Sequence, residues 1–132
     1  MLKPGSTIGI LGGGQLGRML ALAAARLGLK CHIYAPENDS PAFQVSAAHT
    51  VASYDDLDAL DVFARSVDVA TYEFENVPVE AVIFLEALAP ARPGSKALAT
   101  AQDRLKEKHL ARSLGALTAE FSAVNSLDEL RS

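Results

Sequence analysis

Three segments of this sequence carry residue types that could bind or transform a ligand. The first is a glycine-rich stretch, Gly12-Gly13-Gly14-Gln15-Leu16-Gly17, which satisfies the G-x-G-x-x-G pattern after an apolar run. Glycines let the backbone turn sharply and approach a ligand, and the free N–H groups of a helix start favour an anion such as phosphate. The alternative is a tight strand-to-helix turn with close packing, although three adjacent glycines exceed what a turn requires. The stretch therefore predicts that an anion from buffer or substrate binds at residues 15–17.

The second segment, Tyr72-Glu73-Phe74-Glu75-Asn76-Val77-Pro78, places two carboxylates and an amide directly after a predicted strand. Ligands of open α/β sheets bind outside the carboxyl ends of the strands, where the glycine stretch also begins. We therefore expect both segments to adjoin at one edge of the sheet. In the alternative interpretation, Asn76 caps the next helix and the glutamates interact with the dipole of that helix.

The third segment, Gln102-Asp103-Arg104-Leu105-Lys106-Glu107-Lys108, is on pattern alone typical of a solvated helix face with pairs of opposite charge. The histidines lie on separate elements without the spacing of metal ligands, so no metal site is predicted; they are His32, His49 and His109. Cys31 lies in a predicted buried strand without a neighbouring base, which predicts an unreactive thiol.

A nicotinamide dinucleotide would need an acidic residue about 20 positions after the glycines, at the end of the second strand. Glu37 has about that separation, but it follows Pro36 and so lies outside the strand. A solvated loop charge is the better interpretation of Glu37. An NAD(P)-binding module therefore stays only as an alternative.

The elements that must position these segments alternate between short apolar runs and helical periodicity. Strands are predicted at residues 7–11, 30–35, 49–52 and 68–73, and helices at residues 15–27, 55–67, after Pro78 and at 95–114. Alternation with short connections indicates a parallel sheet with helices on both faces, a Rossmann-like α/β domain. The first helix is expected to bury a stripe of Leu16, Met19, Leu20, Ala23 and Leu27, and the second to bury Leu57, Leu60, Phe63, Ala64 and Val67.

Length and composition limit the possible functions. The chain has 132 residues, of which 49% are hydrophobic, and these values are typical of one folded domain. Its formal net charge of −4 argues against general binding to nucleic acid, and no apolar run is long enough to span a membrane. The single cysteine precludes an internal disulfide bond and fits a cytoplasmic location. Residues 117–132 are strand-like and then begin a capped helix, as if the chain were cut from a longer one.

In order and spacing, these three segments resemble the 5-(carboxyamino)imidazole ribonucleotide synthases, the ATPase subunits of phosphoribosylaminoimidazole carboxylase in purine biosynthesis. The resemblance covers nearly the whole chain, and the middle segment is its most specific part. Such enzymes are ATP-grasp proteins. The resemblance therefore implies a pre-ATP-grasp domain at residues 1–94 and, at residues 95–132, a helical linker with the start of an ATP-grasp domain.

The resemblance also implies a reaction. The family uses ATP, with Mg²⁺, and bicarbonate to carboxylate the exocyclic amine of 5-aminoimidazole ribonucleotide, with carboxyphosphate as the intermediate. The residues implied to contact the ribonucleotide are Gly14, Gln15, Leu16, Glu73, Glu75 and Asn76, and Arg104 is implied to reach toward ATP. The ATP lysines and magnesium carboxylates of the family fall after Ser132, so we expect the fragment alone to be inactive and the full-length enzyme to be a homodimer.

A related ATP-grasp enzyme, such as the ATP-dependent glycinamide ribonucleotide formyl transferase, would share the fold and the ligand edge. The formyl transferase, however, lacks the Tyr-Glu-Phe-Glu-Asn run that this chain has at Tyr72-Glu73-Phe74-Glu75-Asn76. The next ~150 residues of the reading frame would decide between these alternatives, because ATP-grasp elements should follow directly.

Overall fold

A computed structural model describes residues 1–131 of the chain. Its centre is a parallel sheet in the order β3-β2-β1-β4, formed by β1 (Thr7–Leu11), β2 (Lys30–Ala35), β3 (Ala48–Val51) and β4 (Val69–Tyr72). In register, Leu11 pairs with Tyr34 and with Tyr72, so the carboxyl ends of the three strands lie side by side. The predicted parallel α/β sheet is confirmed, with strand limits within one residue of those expected.

Within the described residues, six α-helices follow or connect the strands. They are α1 (Gln15–Arg26), α2 (Leu57–Arg65), α3 (Val79–Glu86), α4 (Ser95–Ala101), α5 (Arg104–Ser113) and α6 (Leu127–Arg131), with a 3₁₀ helix at Pro41–Val45. Of these, α1, α2 and α3 bury residues in the two cores beside the sheet. Right-handed crossovers put α1, which leads from β1 to β2, on one face, and α2, which returns from β3 to β4, on the other. Two apolar cores result: Ala21 and Ala24 pack with Ile10 and Ile33, whereas Phe63 packs with residues on the opposite face.

The apolar stripe predicted to be buried on α1 is instead exposed. Leu16 is 56% exposed and Leu27 is 70% exposed, and the buried residues of α1 are Gly17, Ala21 and Ala24. Small residues face the sheet because α1 packs close to the backbone: a Cβ on Gly17 would lie 2.7 Å from the carbonyl oxygen of Gly12. The large apolar residues flank that contact, and two of them, Leu20 and Leu27, border an open groove of about 220 Å³ beside β4.

Other predicted details were also wrong. Leu57 is 54% exposed, because it lies at the first position of α2, outside the core. The alternative interpretation of Asn76 is also wrong, because the cap residue of α3 is Pro78, without a side-chain hydrogen bond. The predicted single helix at 95–114 is divided into α4 and α5, because the Asp103 carboxylate accepts hydrogen bonds from Leu105 and Lys106 and starts a new helix. Residues 117–125, predicted to be strand-like, form no strand.

A buried histidine links the stability of the fold to pH. His32 is 8% exposed, and its ring nitrogens lie 2.8 Å from Ser66 Oγ and 2.8 Å from Thr50 Oγ1. Burial, and then repulsion from His49, lower the pKa of His32, so the folded chain binds a proton at this ring less readily than the unfolded chain does. The unfolded chain binds a proton there below about pH 6.5, and the free energy of unfolding should therefore fall as pH falls through that range.

We expect urea unfolding to show a free energy that decreases from pH 7.5 to pH 5.5. In His32→Gln this decrease should be smaller by up to about 1.4 kcal/mol per pH unit. His109→Gln, which changes an exposed histidine on α5, is the control and should keep the wild-type dependence. Equal pH dependence in wild type and His32→Gln would contradict this assignment.

Candidate functional site

The glycine-rich loop and the segment after β4 meet at the carboxyl edge of the sheet, as predicted. Their contact is made by the side chain of Glu73, whose Oε1 accepts a hydrogen bond of 2.8 Å from the Gly14 N–H. Its Oε2 accepts a second hydrogen bond from the Gly17 N–H, in the first turn of α1. The start of α1 thus binds an anion, and that anion is a carboxylate of the chain itself.

Glu73 also explains the pattern of glycines. A Cβ on Gly12 would collide with the Glu73 side chain, and a Cβ on Gly14 would lie 2.8 Å from its Oε1. Gly13 has a different neighbour, since a Cβ there would collide with the buried hydroxyl of Ser40. The triple glycine therefore admits two side chains from elsewhere in the fold, Glu73 from the segment after β4 and Ser40 from the segment after β2.

A second arrangement surrounds an open groove of about 720 Å³ at the same end of the domain. Glu75, Asn76 and Arg104 line this groove together, although 29 positions separate Glu75 from Arg104 in the sequence. The three side chains are exposed, and the Arg104 guanidinium donates to Glu107 at 2.6 Å. The groove therefore combines carboxylate, amide and guanidinium groups that can contact a polar ligand.

Gln102 holds one wall of this groove in place. Its side-chain amide donates hydrogen bonds of 2.6 Å to the Glu75 carbonyl and 2.8 Å to the Val77 carbonyl. These bonds tie the end of α4 to the backbone that carries Glu75 and Asn76. The sequence pattern assigned Gln102 to a solvated helix face, and no spacing signal could have revealed partners that lie 25 and 27 positions away.

The loop also borders a smaller cavity of about 230 Å³, lined by Gly12–Gly14, Glu37, Asp39, Ser40, Pro41, Tyr54, Glu73 and Phe74. Glu37 lies here on an exposed loop, outside β2, as expected. Burial, and then the charges of Glu37 and Glu73, raise the pKa of the Tyr54 hydroxyl, which stays protonated. Three carboxylates at one small cavity disfavour a further negative charge there.

The remaining candidates occupy separate places. Leu16 lies on the apolar flank of α1, and Gln15 is exposed at the first residue of that helix. Cys31 is buried, and burial raises the pKa of its thiol, in line with a structural role. Within residues 1–131, no group of three or more His, Cys, Asp or Glu side chains could hold a metal ion. No helix in that range is both long and apolar enough to cross a membrane.

Comparison with known proteins gives the relatives of this chain. A sequence model of the ribonucleotide synthetase preATP-grasp domain matches residues 5–102. The chain is 53% identical over 132 residues to the bifunctional purine synthesis protein purC/E of Dictyostelium discoideum, covering 100% of this chain and 13% of that protein. It is 50% identical over 129 residues to the N5-carboxyaminoimidazole ribonucleotide synthase of Brucella melitensis, covering 98% of this chain and 36% of the relative.

Solved structures give a matching result. An ADP complex of purK, an N5-carboxyaminoimidazole ribonucleotide synthetase, superposes with a TM-score of 0.92 at 43% identity, covering 99% of this chain and 35% of that one. The N5-carboxyaminoimidazole synthase of Aspergillus clavatus, in complex with ADP and 5-aminoimidazole ribonucleotide, superposes with a TM-score of 0.78 at 34% identity, covering 89% and 31%. The chain thus spans about a third of the length of most of these relatives.

Proposed function

Because this chain belongs to the ribonucleotide synthetase preATP-grasp domain family, we propose that it is the N-terminal domain of an N5-carboxyaminoimidazole ribonucleotide synthase in purine biosynthesis. The complete enzyme would carboxylate the exocyclic amine of 5-aminoimidazole ribonucleotide with ATP and bicarbonate. One observation carries the proposal: Glu75 and Asn76 share a groove with Arg104, so the residues assigned to the ribonucleotide and to ATP lie where two substrates can meet.

The side chains of the groove have distinct proposed roles. Glu75 and Asn76 would hydrogen-bond the polar groups of the ribonucleotide, and a carboxylate is a suitable acceptor for an amine N–H. Gln15, exposed at the first residue of α1, would add a further contact. The Gly14 N–H already donates a hydrogen bond to Glu73, so the part of these two residues in substrate binding would be to shape the loop.

Arg104 would contact ATP from the edge of the following domain. Its guanidinium is exposed and its partner, Glu107, lies on the same helix, so it can exchange that ion pair for phosphate oxygens. ATP, with Mg²⁺, supplies the phosphoryl group that activates bicarbonate. A single arginine does not stabilise phosphoryl transfer alone, and we propose that further cations come from an ATP-grasp domain that begins within residues 95–132.

The longer protein would also form a homodimer. The exposed apolar flank of α1 and the groove beside β4 support this proposal, because such a surface is suited to contact with another protein chain. Isolated apolar residues are common on protein surfaces, but a continuous row from Leu16 to Leu27 is typical of an interface.

Binding measurements on this chain test the ribonucleotide assignment against the NAD(P) alternative. Titration calorimetry should detect saturable binding of 5-aminoimidazole ribonucleotide and weaker or no binding of NAD. The chain alone should hydrolyse no ATP, because the cations that stabilise the phosphoryl group would lie in the next domain. NAD binding that is saturable and stronger than ribonucleotide binding would favour a dinucleotide module.

A chimera tests the activity. In it, this chain replaces the matching segment of the Brucella melitensis relative, which is 50% identical to it over 129 residues. The chimera should release ADP in a reaction that depends on both 5-aminoimidazole ribonucleotide and bicarbonate. A folded chimera without ribonucleotide-dependent ADP release, beside an active Brucella enzyme, would contradict the proposed function.

A further inference from the structure

We propose that the glycine-rich loop of this chain is an internal carboxylate site, in which Glu73 takes the place of a ligand phosphate and keeps external anions away from the start of α1. In dinucleotide-binding folds the same G-x-G-x-x-G pattern leaves its N–H groups free for a pyrophosphate. Here the carboxylate oxygens of Glu73 accept hydrogen bonds from Gly14 and Gly17. This inference does not depend on the proposed function.

The conformation of Gly14 gives a separate argument. Its backbone, with φ −73° and ψ −164°, is extended and open to any residue. The three atoms nearest to a Cβ at Gly14 would all belong to the Glu73 carboxylate, the first of them at 2.8 Å. A side chain at position 14 would therefore have to push the internal carboxylate away from the Gly14 N–H, whereas the turn itself accepts any residue there.

The negative charge that lines the smaller cavity beside the glycine-rich loop also disfavours an external anion. Glu37 and Asp39 line that cavity together with Glu73, and none of its lining residues is basic. An external phosphate would have to displace a tethered carboxylate, which has a high local concentration, and then face two further negative charges. A nucleotide bound by this domain would therefore place its phosphates elsewhere.

Anion titrations of the chain test the proposal. The probes are sodium formate and inorganic phosphate at constant ionic strength, and the readouts are the melting temperature and the amide NMR shifts of Gly14 and Gly17. In wild type neither probe should move either readout. Glu73→Ala should lower the melting temperature by roughly 5–10 °C, because it removes hydrogen bonds to a charged group. Formate at ten times its dissociation constant should then restore about 3–6 °C and shift both amides.

Glu75→Ala is the matched control, since it removes a carboxylate two residues away that is exposed and lines the other groove. It should melt near the wild-type temperature and show no response to formate. Saturable changes in the amide NMR shifts of Gly14 and Gly17 when phosphate is added to wild type would overturn the proposal. It would also be overturned if formate changed neither the melting temperature nor these amide shifts in Glu73→Ala. If Glu73→Ala is unfolded without ligand, formate-induced refolding is the readout, and the wild-type titration still decides on its own.

A double-mutant cycle gives a second test. Gly14→Ala should lower the melting temperature of wild type, because its new methyl group meets the Glu73 carboxylate. In the Glu73→Ala background that space is empty, so the same substitution should be neutral or should raise the melting temperature. Additive effects of the two substitutions would overturn the inference that Glu73 determines the glycine at position 14.

Discussion

Gly12→Ala is expected to destabilise the chain by more than about 3 kcal/mol, a large fraction of the roughly 5–15 kcal/mol that holds a typical domain folded. Two costs combine at this position. Gly12 has φ +111°, a region in which an L-residue costs of order 1–3 kcal/mol. In addition, an alanine Cβ would collide with the Glu73 side chain, and Glu73 cannot withdraw without losing its hydrogen bonds to Gly14 and Gly17.

Gly5→Ala separates these two costs. Gly5 also has a positive φ, of +92°, but a Cβ there would meet nothing within 4 Å. It should therefore show only the backbone cost, and Gly12→Ala should be the more damaging by the steric part. Urea unfolding of both variants, analysed with the slope of the transition as well as its midpoint, measures the difference. Equal losses in both variants would show that Glu73 does not constrain Gly12.

The course of the chain could be predicted because each element carries a local signal. β1 is an apolar run followed by glycines, and the α1 helix ends where Gly28 adopts φ +73°. Parallel strands share a carboxyl edge, so the meeting of the glycine loop with residues 73–76 also followed from the pattern alone. The position of Arg104 in the groove lined by Glu75 and Asn76 could not be derived in this way, because α4 and α5 were interpreted as one helix.

The orientation of α1 shows where periodicity misleads. Hydrophobic spacing selects the face with the largest apolar side chains, but a helix that packs close to a sheet needs small ones. Gly17, Ala21 and Ala24 meet that need, and the leucines remain at the flank. Periodicity therefore identified a real apolar surface and assigned it to the wrong neighbour.

The role of Glu73 could not be predicted for a different reason. Its partners, Gly14 and Gly17, are 59 and 56 positions away, and nothing in the local pattern distinguishes Glu73 from Glu75. The glycine pattern predicts an anion from buffer or substrate, whereas in the structure the N–H groups of Gly14 and Gly17 donate to a carboxylate of the chain itself. Whether that anion is a ligand or a side chain depends on which strand lies next to the loop, and this is a property of the assembled sheet.

Glu75→Ala and Arg104→Ala are expected to impair different steps in the chimera with the Brucella relative, if the proposed function is correct. Glu75 lies on the segment after β4, and its loss should raise the KM for 5-aminoimidazole ribonucleotide. Arg104 lies on α5 and should instead raise the KM for ATP. A lost hydrogen bond to a charged group corresponds to ~1.5–3 kcal/mol, or roughly ten- to a hundredfold in the affected constant.

Steady-state kinetics with each substrate varied separately would measure this division. Lys106→Ala is the control for Arg104→Ala, and Asp58→Ala is the control for Glu75→Ala. Each control removes an exposed charge of the same sign as the residue that it is compared with, and neither residue lines the groove. Both should keep the constants of the unmodified chimera. If Glu75→Ala and Arg104→Ala raised the two KM values equally, the groove would act as one undivided site. If both variants kept their constants while folded, the assignment of these two residues would be wrong, and the family membership of the chain would stand without it.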